Sequence, residues 1–383
     1  MISQTLYRLH RFSSPKRRTG TVKTGFHGLI CLLALILWAG SLLAAGAPAK
    51  KPERHAFGTD PGFYYLPKTA IDTREIPNIV LKESDGWDQP LPVFQLKKNV
   101  YMLYGNIAEV DEFNRGWNGN AGFVVTPDGV VAIDSLGTPK LGQRMIATIR
   151  TITNKPIKYL IITHNHPDHS YGAVAFRKLG GVTIIAHQGT LEYINSDQMD
   201  SSVDYRRSFI DADMQGFQGI TPDVVVNTKR FSSYTLKSGG QVFQIYNVGR
   251  QHSAGDLVLY DQKNNMVWVS DLAFNQRTTF MGDGNSREAI EAQDWLLERF
   301  SNASLMVPGH GSAQTSPFPM VHETRSYIKR LRKLMLEAVN NNIDMFEAVK
   351  QATFDDWKNT RLYKLNQRSN ANFVYRELEE ENF

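Results

Sequence analysis

The chain has 383 residues, 42% hydrophobic and 11% aromatic, which is enough for one large domain with extensions or for two ordinary ones. Its net charge of +5 is misleading, because residues 1–49 hold Arg8, Arg11, Lys16, Arg17, Arg18 and Lys23 and no acid; without those six bases the remainder carries −1. A body so near neutrality exerts no global pull on nucleic acid, so a small-molecule substrate is the expected partner and nucleic acid is not.

The opening segment reads as an export leader. A basic stretch precedes the uncharged run from Gly28 to Ala49, whose most apolar part is Leu29–Trp38. Ala45-Gly46-Ala47, or Ala47-Pro48-Ala49 with a cut before Lys50, has the form of a cleavage site. About 20 apolar residues would also span a bilayer as an uncleaved anchor. On either reading the positive residues stay in the cytoplasm and the body is exported, so a periplasmic or secreted location is expected, with membrane contact only through this segment. Cys31, the one cysteine, lies inside the leader, so the mature protein offers no thiolate to a metal.

Residues 50–75 read as a linker, residues 76–340 as the main domain and residues 341–383 as a helical C-terminal extension. Phe94–Tyr104 alternates as a strand, and residues 122–126 and 129–134 form a hairpin around Pro127-Asp128. Asp134 closes that hairpin, where holding a loop by backbone hydrogen bonds is its expected role. Residues 140–153 have helical spacing, and Ile157–Ile162 is β-branched enough for a buried strand. A helix over 171–179 ends at Gly180-Gly181, and a short strand at 182–186 leads to His187, a loop histidine hydrogen-bonded to backbone. Residues 190–230 break the alternation with short helices that either cap a substrate pocket or cover a hydrophobic edge. As a cap, they would offer Arg206 and Arg207 to an anionic substrate. Strands resume at 231–236, 242–248, 256–261 and 266–270, followed by a helix near 286–301, a strand at 305–307 and a long helix over 317–339.

Between the strand ending at Ile162 and the helix beginning at Tyr171 lies Thr163-His164-Asn165-His166-Pro167-Asp168-His169-Ser170. Three imidazoles and a carboxylate within six positions are costly to bury unless a cation sits among them, which makes this stretch a metal site with zinc as the default. The remaining ligands are sought where other strands give way to loops. Three places qualify: His252 in the loop 249–256, Asp271 after Val269-Ser270, and His310 in Pro308-Gly309-His310-Gly311.

These residues in this order resemble the metallo-β-lactamase superfamily. Thr163–His169 carries its H-x-H-x-D-H signature, and His252, Asp271 and His310 match its later elements, with Ser253 standing where threonine is usual. The resemblance covers roughly residues 95–315. It implies an α/β fold, the αββα four-layer sandwich, to which the 190–230 insertion, read as a helical lid, and the C-terminal helical extension are added. It further implies that His164, His166 and His252 hold one metal, that Asp168, His169 and His310 hold a second, and that Asp271 bridges them. Two Zn(2+) ions per chain are the implied cofactors, with iron the alternative. Such a pair would make hydroxide available near neutral pH, with Asp168 as a catalytic residue that orients it. The implied activity is hydrolysis of an ester, thioester, lactone or lactam bond. The chain is also similar to exported zinc hydrolases associated with quinoprotein or sulfur-oxidation systems. An iron-dependent oxidoreductase of the sulfur dioxygenase type, a β-lactamase proper and a non-catalytic metal-binding protein are the competing readings.

Overall fold

The alternation of β-branched runs with amphipathic helices builds two sheets, each covered on its outer face by helices. The computed structural model describes residues 66–382; the leader and most of the linker lie outside them. The first sheet takes seven strands in chain order: β1 (Phe94–Lys97), β2 (Val100–Leu103), β3 (Ala121–Val125), β4 (Val130–Ile133), β5 (Ile157–Ile161), β6 (Thr183–His187) and β7 (Val224–Val226). The second takes five: β8 (Ser233–Ser238), β9 (Gln241–Gly249), β10 (Asp256–Asp261), β11 (Met266–Phe274) and β12 (Leu305–His310). Apolar side chains from both, including Val131, Ile161, Phe243, Leu257 and Trp268, pack together between the sheets.

On the outer face of the first sheet lie α1 (Pro139–Ile152) and, beyond a single turn α2 (Pro167–Ser170), α3 (Ala173–Leu179). Thr138 caps α1 by accepting the Leu141 N–H at 3.1 Å, with Pro139 opening the helix. Leu141, Met145 and Ile149 of α1 meet Val174 and Phe176 of α3 in one apolar layer. On the outer face of the second sheet, α6 (Ser286–Arg299) and α7 (Pro319–Asn340) pack through Ala292, Leu296, Met320 and Val321. The layers therefore run helix, sheet, sheet, helix, which is the αββα sandwich expected. Between β6 and β7 the chain forms α4 (Gln188–Tyr193) and α5 (Asp197–Ile210), and α8 (Met345–Gln351) and α9 (Tyr363–Asn382) follow α7. Among the described residues no helix is long and apolar enough to cross a membrane.

Several boundaries differ from the sequence reading, each for a local reason. The single strand expected over Phe94–Tyr104 is a hairpin, because Asn99 takes φ 63° and turns the chain between β1 and β2. The expected short helices around Asp197–Met199 and Tyr205–Arg207 are one helix of 14 residues. The described end of the expected linker is part of the domain: the Asp72 N–H donates to the Ala313 carbonyl at 2.8 Å, and the Ala313 N–H donates to the Ala70 carbonyl at 2.8 Å. The C-terminal helix α9 packs on α7 through Val374, Tyr375 and Leu378 against Tyr327, Ile328 and Leu331.

Candidate metal centre

The metal loop leaves β5, bends at His164 and Asn165 and is extended again at His166, and then Pro167 starts the turn α2. Pro167 at the first helical position has a fixed φ suited to the helix and needs no N–H partner. Asp168 and His169 leave from that helical turn. Two further strand ends face this loop. His252 sits on a loop whose backbone is held by Asp256, which accepts the N–H groups of His252 at 2.9 Å and Ser253 at 3.0 Å. His310 is the last residue of β12 rather than a residue beyond it. Asp271, expected at a strand end, lies inside β11, which continues to Phe274. The pairing of β11 with β12 is irregular from Trp268 onward, and Ser270 has φ 48°, so the ladder is broken beside Asp271.

All seven expected ligands converge. His164, His166, His252 and Asp271 form one group and Asp168, His169 and His310 another, the ligand atoms of each lying within 4.8 Å of one another. Asp271 touches both: its Oδ2 is 3.1 Å from His252 Nε2 and 3.4 Å from His310 Nε2, and its Oδ1 is 3.4 Å from His169 Nε2. Gly309 makes this approach possible, since a Cβ there would stand 1.8 Å from Asp271 Oδ1.

The outward-facing atoms of the rings are tied to the protein. Asp134 accepts from His169 Nδ1 at 2.9 Å and from the Thr163 N–H at 2.8 Å. Its role is thus the loop-holding one expected, with the His169 ring added. Thr163 and Ser270 hydroxyls lie 3.2 Å from His164 Nδ1. The Asn118 carbonyl faces His310 Nδ1 at 3.0 Å, and Asn118 Nδ2 donates to Asp168 Oδ2 at 3.0 Å. His187, by contrast, ends β6 rather than lying in the loop, and makes the backbone hydrogen bond expected of it: it accepts the Gly189 N–H at 2.9 Å and caps α4.

Electrostatics follow from crowding in a buried space. Burial alone would raise Asp168 and Asp271, but the neighbouring histidines outweigh it and hold both carboxyls below the usual range. Burial would lower His169, yet Asp168, Asp271 and Asp134 push it up to about 10. Burial keeps His164 well below its ordinary value and, with Arg277, also lowers His310.

The donor set fits a divalent metal. His164 Nε2 and Asp271 Oδ1 are buried without hydrogen-bond partners, and a buried polar atom left so is costly. His166 Nδ1 and His252 Nε2 face each other at 3.0 Å, as do His169 Nε2 and His310 Nε2 at 3.5 Å. Imidazole and carboxylate without sulfur suit zinc, with iron open to the same ligands.

Sequence reasoning passed over three residues here. Asp283 Oδ2 lies 3.1 Å from His166 Nε2. Its setting, Gly282-Asp283-Gly284, repeats the glycine flanking that drew attention to His310, so it was findable. Arg277 Nη1 lies 2.5 Å from His310 Nδ1 and 3.2 Å from its Nε2, and Asn118 meets Asp168, but neither carries a sequence signal beyond its polarity. Arg206, suggested for an anionic substrate, is buried over the Tyr171 ring at 5.6 Å, while Arg207 lies at the surface 3.8 Å from Asp211. The segment bearing them covers an apolar cluster of Tyr171, Tyr193, Val203, Ile210 and Met214.

Comparison with known proteins agrees with this geometry. "Metallo-beta-lactamase type 2" of Bacillus sp. (strain 170) is 23% identical over 243 residues, covering 62% of this chain and 82% of the relative. "Linear primary-alkylsulfatase" of Pseudomonas sp. (strain ATCC 19151) is 33% identical over 76 residues, 18% of this chain and 14% of the relative. Among solved structures, the stereoselective inverting sec-alkylsulfatase Pisa1 from Pseudomonas sp. superposes with a TM-score of 0.59 at 16% identity. That superposition covers 75% of this chain, and this chain spans half the length of the sulfatase, so the likeness concerns the fold. These relatives are metal-dependent hydrolases, and the chain is of that enzyme class. The family model described as Metallo-beta-lactamase superfamily matches residues 114–310, from the loop that bears Asn118 to the last histidine, and the chain belongs to that superfamily.

Proposed function

We propose that the chain is an exported dinuclear zinc hydrolase acting on an ester, thioester, lactone or lactam bond. The observation that carries this reading is Asp271, within 3.4 Å of a histidine in each of two adjoining ligand groups. His164, His166 and His252 would hold one ion, and Asp168, His169 and His310 the other, with Asp271 shared. When bound, such a pair lowers the pKa of water toward neutrality and polarises the bond under attack. The protein's own groups do the rest. Asp168, ionised and held by Asn118 at 3.0 Å, orients the attacking water. Asp134, Thr163 and Ser270 fix the ring nitrogens turned away from the centre, so the facing nitrogens stay aimed at it. Arg277, beside His310, offers positive charge to an oxyanion. Export rests on the basic-then-apolar leader, and the absence of cysteine from the rest of the chain accords with it.

Arg277 also favours a second reading, hydrolysis of a sulfate ester, because a guanidinium beside His310 suits a substrate that is already anionic. The sequence likeness to the linear primary-alkylsulfatase over 76 residues points the same way. The test is a hydrolysis screen of the metal-loaded protein across lactams, lactones, thioesters, sulfate esters and phosphodiesters, with metal analysis alongside. Two zinc ions and turnover of one of these classes are expected. Stoichiometric iron without turnover of any of them would overturn the hydrolase reading in favour of oxygen chemistry.

A further inference from the structure

We propose that Asp283 is a positioning residue that fixes the His166 ring for metal binding and couples it to the helical insertion through Gln198. This rests on the reading of His166 as a metal ligand. His166 divides its two ring nitrogens cleanly. Nδ1 faces His252 Nε2 at 3.0 Å, on the side of the ligand group, and Nε2 faces Asp283 Oδ2 at 3.1 Å. A carboxylate on Nε2 holds the proton there and leaves the Nδ1 lone pair free for an ion. The other Asp283 oxygen, Oδ1, accepts from Gln198 Nε2 of α5 at 3.1 Å. One carboxylate therefore joins a proposed ligand to the insertion between β6 and β7.

An ion pair at a rim contributes little when both partners are free to move. The side chains of His166 and Asp283 are 14% and 28% exposed, so the surroundings decide whether this pair is such a case. They hold Asp283 from two sides. Toward the centre, a Cβ on Gly284 would stand 2.5 Å from the Gln251 carbonyl oxygen, so the chain can lie this close only as glycine. The Asn285 N–H donates to the Arg250 carbonyl at 2.7 Å, docking the segment on the loop of His252. Toward α9, Asn370 Oδ1 accepts the Met281 N–H at 3.0 Å, and Glu377 accepts the Ser286 N–H at 2.9 Å. Phe280 packs edge-on against Phe373 of α9 at 5.8 Å, and its ring lies 6.5 Å from that of His166. The segment from Phe280 to Ser286 is thus braced by α9, which lies beyond the 114–310 family match. The C-terminal helix thereby gains a role in the geometry of the site.

The experiment titrates zinc and cobalt(II) into the full metal-free protein against a chromophoric chelator, for wild type, Asp283→Ala, Asp283→Asn, Gln198→Ala and His166→Ala. Asp283→Ala is expected to weaken one of two ions about 10-fold or more, leave the other unchanged and alter the cobalt absorption spectrum. Asp283→Asn should recover most of the affinity, because its amide oxygen still accepts the His166 proton while Gln198 turns its own amide. Gln198→Ala should weaken the same ion by a few-fold. His166→Ala should lose that ion altogether. If His166→Ala loses an ion and Asp283→Ala binds both as wild type does, the positioning role fails while the ligand reading survives. If His166→Ala retains both ions, the ligand reading fails and the proposal with it. Thermal unfolding of the metal-free variants supplies the remaining control. A fall in Asp283→Ala that Asp283→Asn does not reverse, with no change in the cobalt spectrum, would reduce Asp283 to a structural contact and overturn the proposal.

Discussion

Replacing Asp134 tests how far the centre depends on groups that hold no ion. Asp134 is 3% exposed and accepts from the Thr163 N–H at 2.8 Å and from His169 Nδ1 at 2.9 Å. It also meets the Thr163 hydroxyl at 2.9 Å, but that hydroxyl has Ser270 Oγ at 2.6 Å as a second partner. Asp134→Ala therefore strands two buried donors, at about 1–3 kcal/mol each, for a loss of about 2–6 kcal/mol. Against a total stability of about 5–15 kcal/mol the folded state should survive, although weakened. Asp134→Asn keeps the shape but has one acceptor oxygen, which can serve Thr163 or His169 and not both. Its loss should be about half as large. The metal effect has a separate origin: His169 without its carboxylate can turn, and affinity for one ion should fall about 10- to 100-fold. Urea unfolding of the metal-free protein reads the first quantity and chelator competition the second. Wild-type stability and wild-type metal affinity in Asp134→Ala would refute the argument that this carboxylate organises the loop.

His166→Ala should abolish hydrolysis in a protein whose far-ultraviolet circular dichroism is unchanged; full activity at stoichiometric metal would remove His166 from the ligand set. Gly309→Ala places a methyl 1.8 Å from Asp271 Oδ1, so it should loosen both ions and cost about 1–3 kcal/mol by overpacking, as read by metal titration and by denaturant unfolding. Arg277→Ala should raise KM more than it lowers kcat for anionic substrates, with Arg277→Lys intermediate because a point charge replaces a fork; equal losses on neutral and anionic substrates would count against anion recognition. Chelation should lower the unfolding temperature, since an ion at about 1,000 times its Kd stabilises the native state by about 4 kcal/mol. An unfolding temperature indifferent to chelator would mean that the seven residues hold no ion in the native state.

The candidate ligand set was legible because metal chemistry restricts residue type more tightly than folding does. His252 and His310, in loops that carry glycines, and Asp271 after Val269-Ser270 could be picked out at strand ends around the loop at His164–His169. Glycine flanking extends to Asp283 by the same logic. Its partner His166 lies 117 residues away, and the brace from α9 arrives from residue 370 onward, so nothing nearby in sequence announced the role.

By itself the sequence determined the chemistry on offer, most of the strands and helices, and the absence of thiolate from residues 66–382, because these depend on residue type and local period. Only the tertiary structure decided which oxygen of Asp271 meets which ring, that Asp134 serves His169, and that Arg206 lies over Tyr171. Two sheets had to close face to face before the ends of β5, β10 and β12 and the irregular middle of β11 could meet. Pairing across that distance is set by how the apolar faces fit together, and a contact between residues a hundred positions apart leaves no trace in either local sequence.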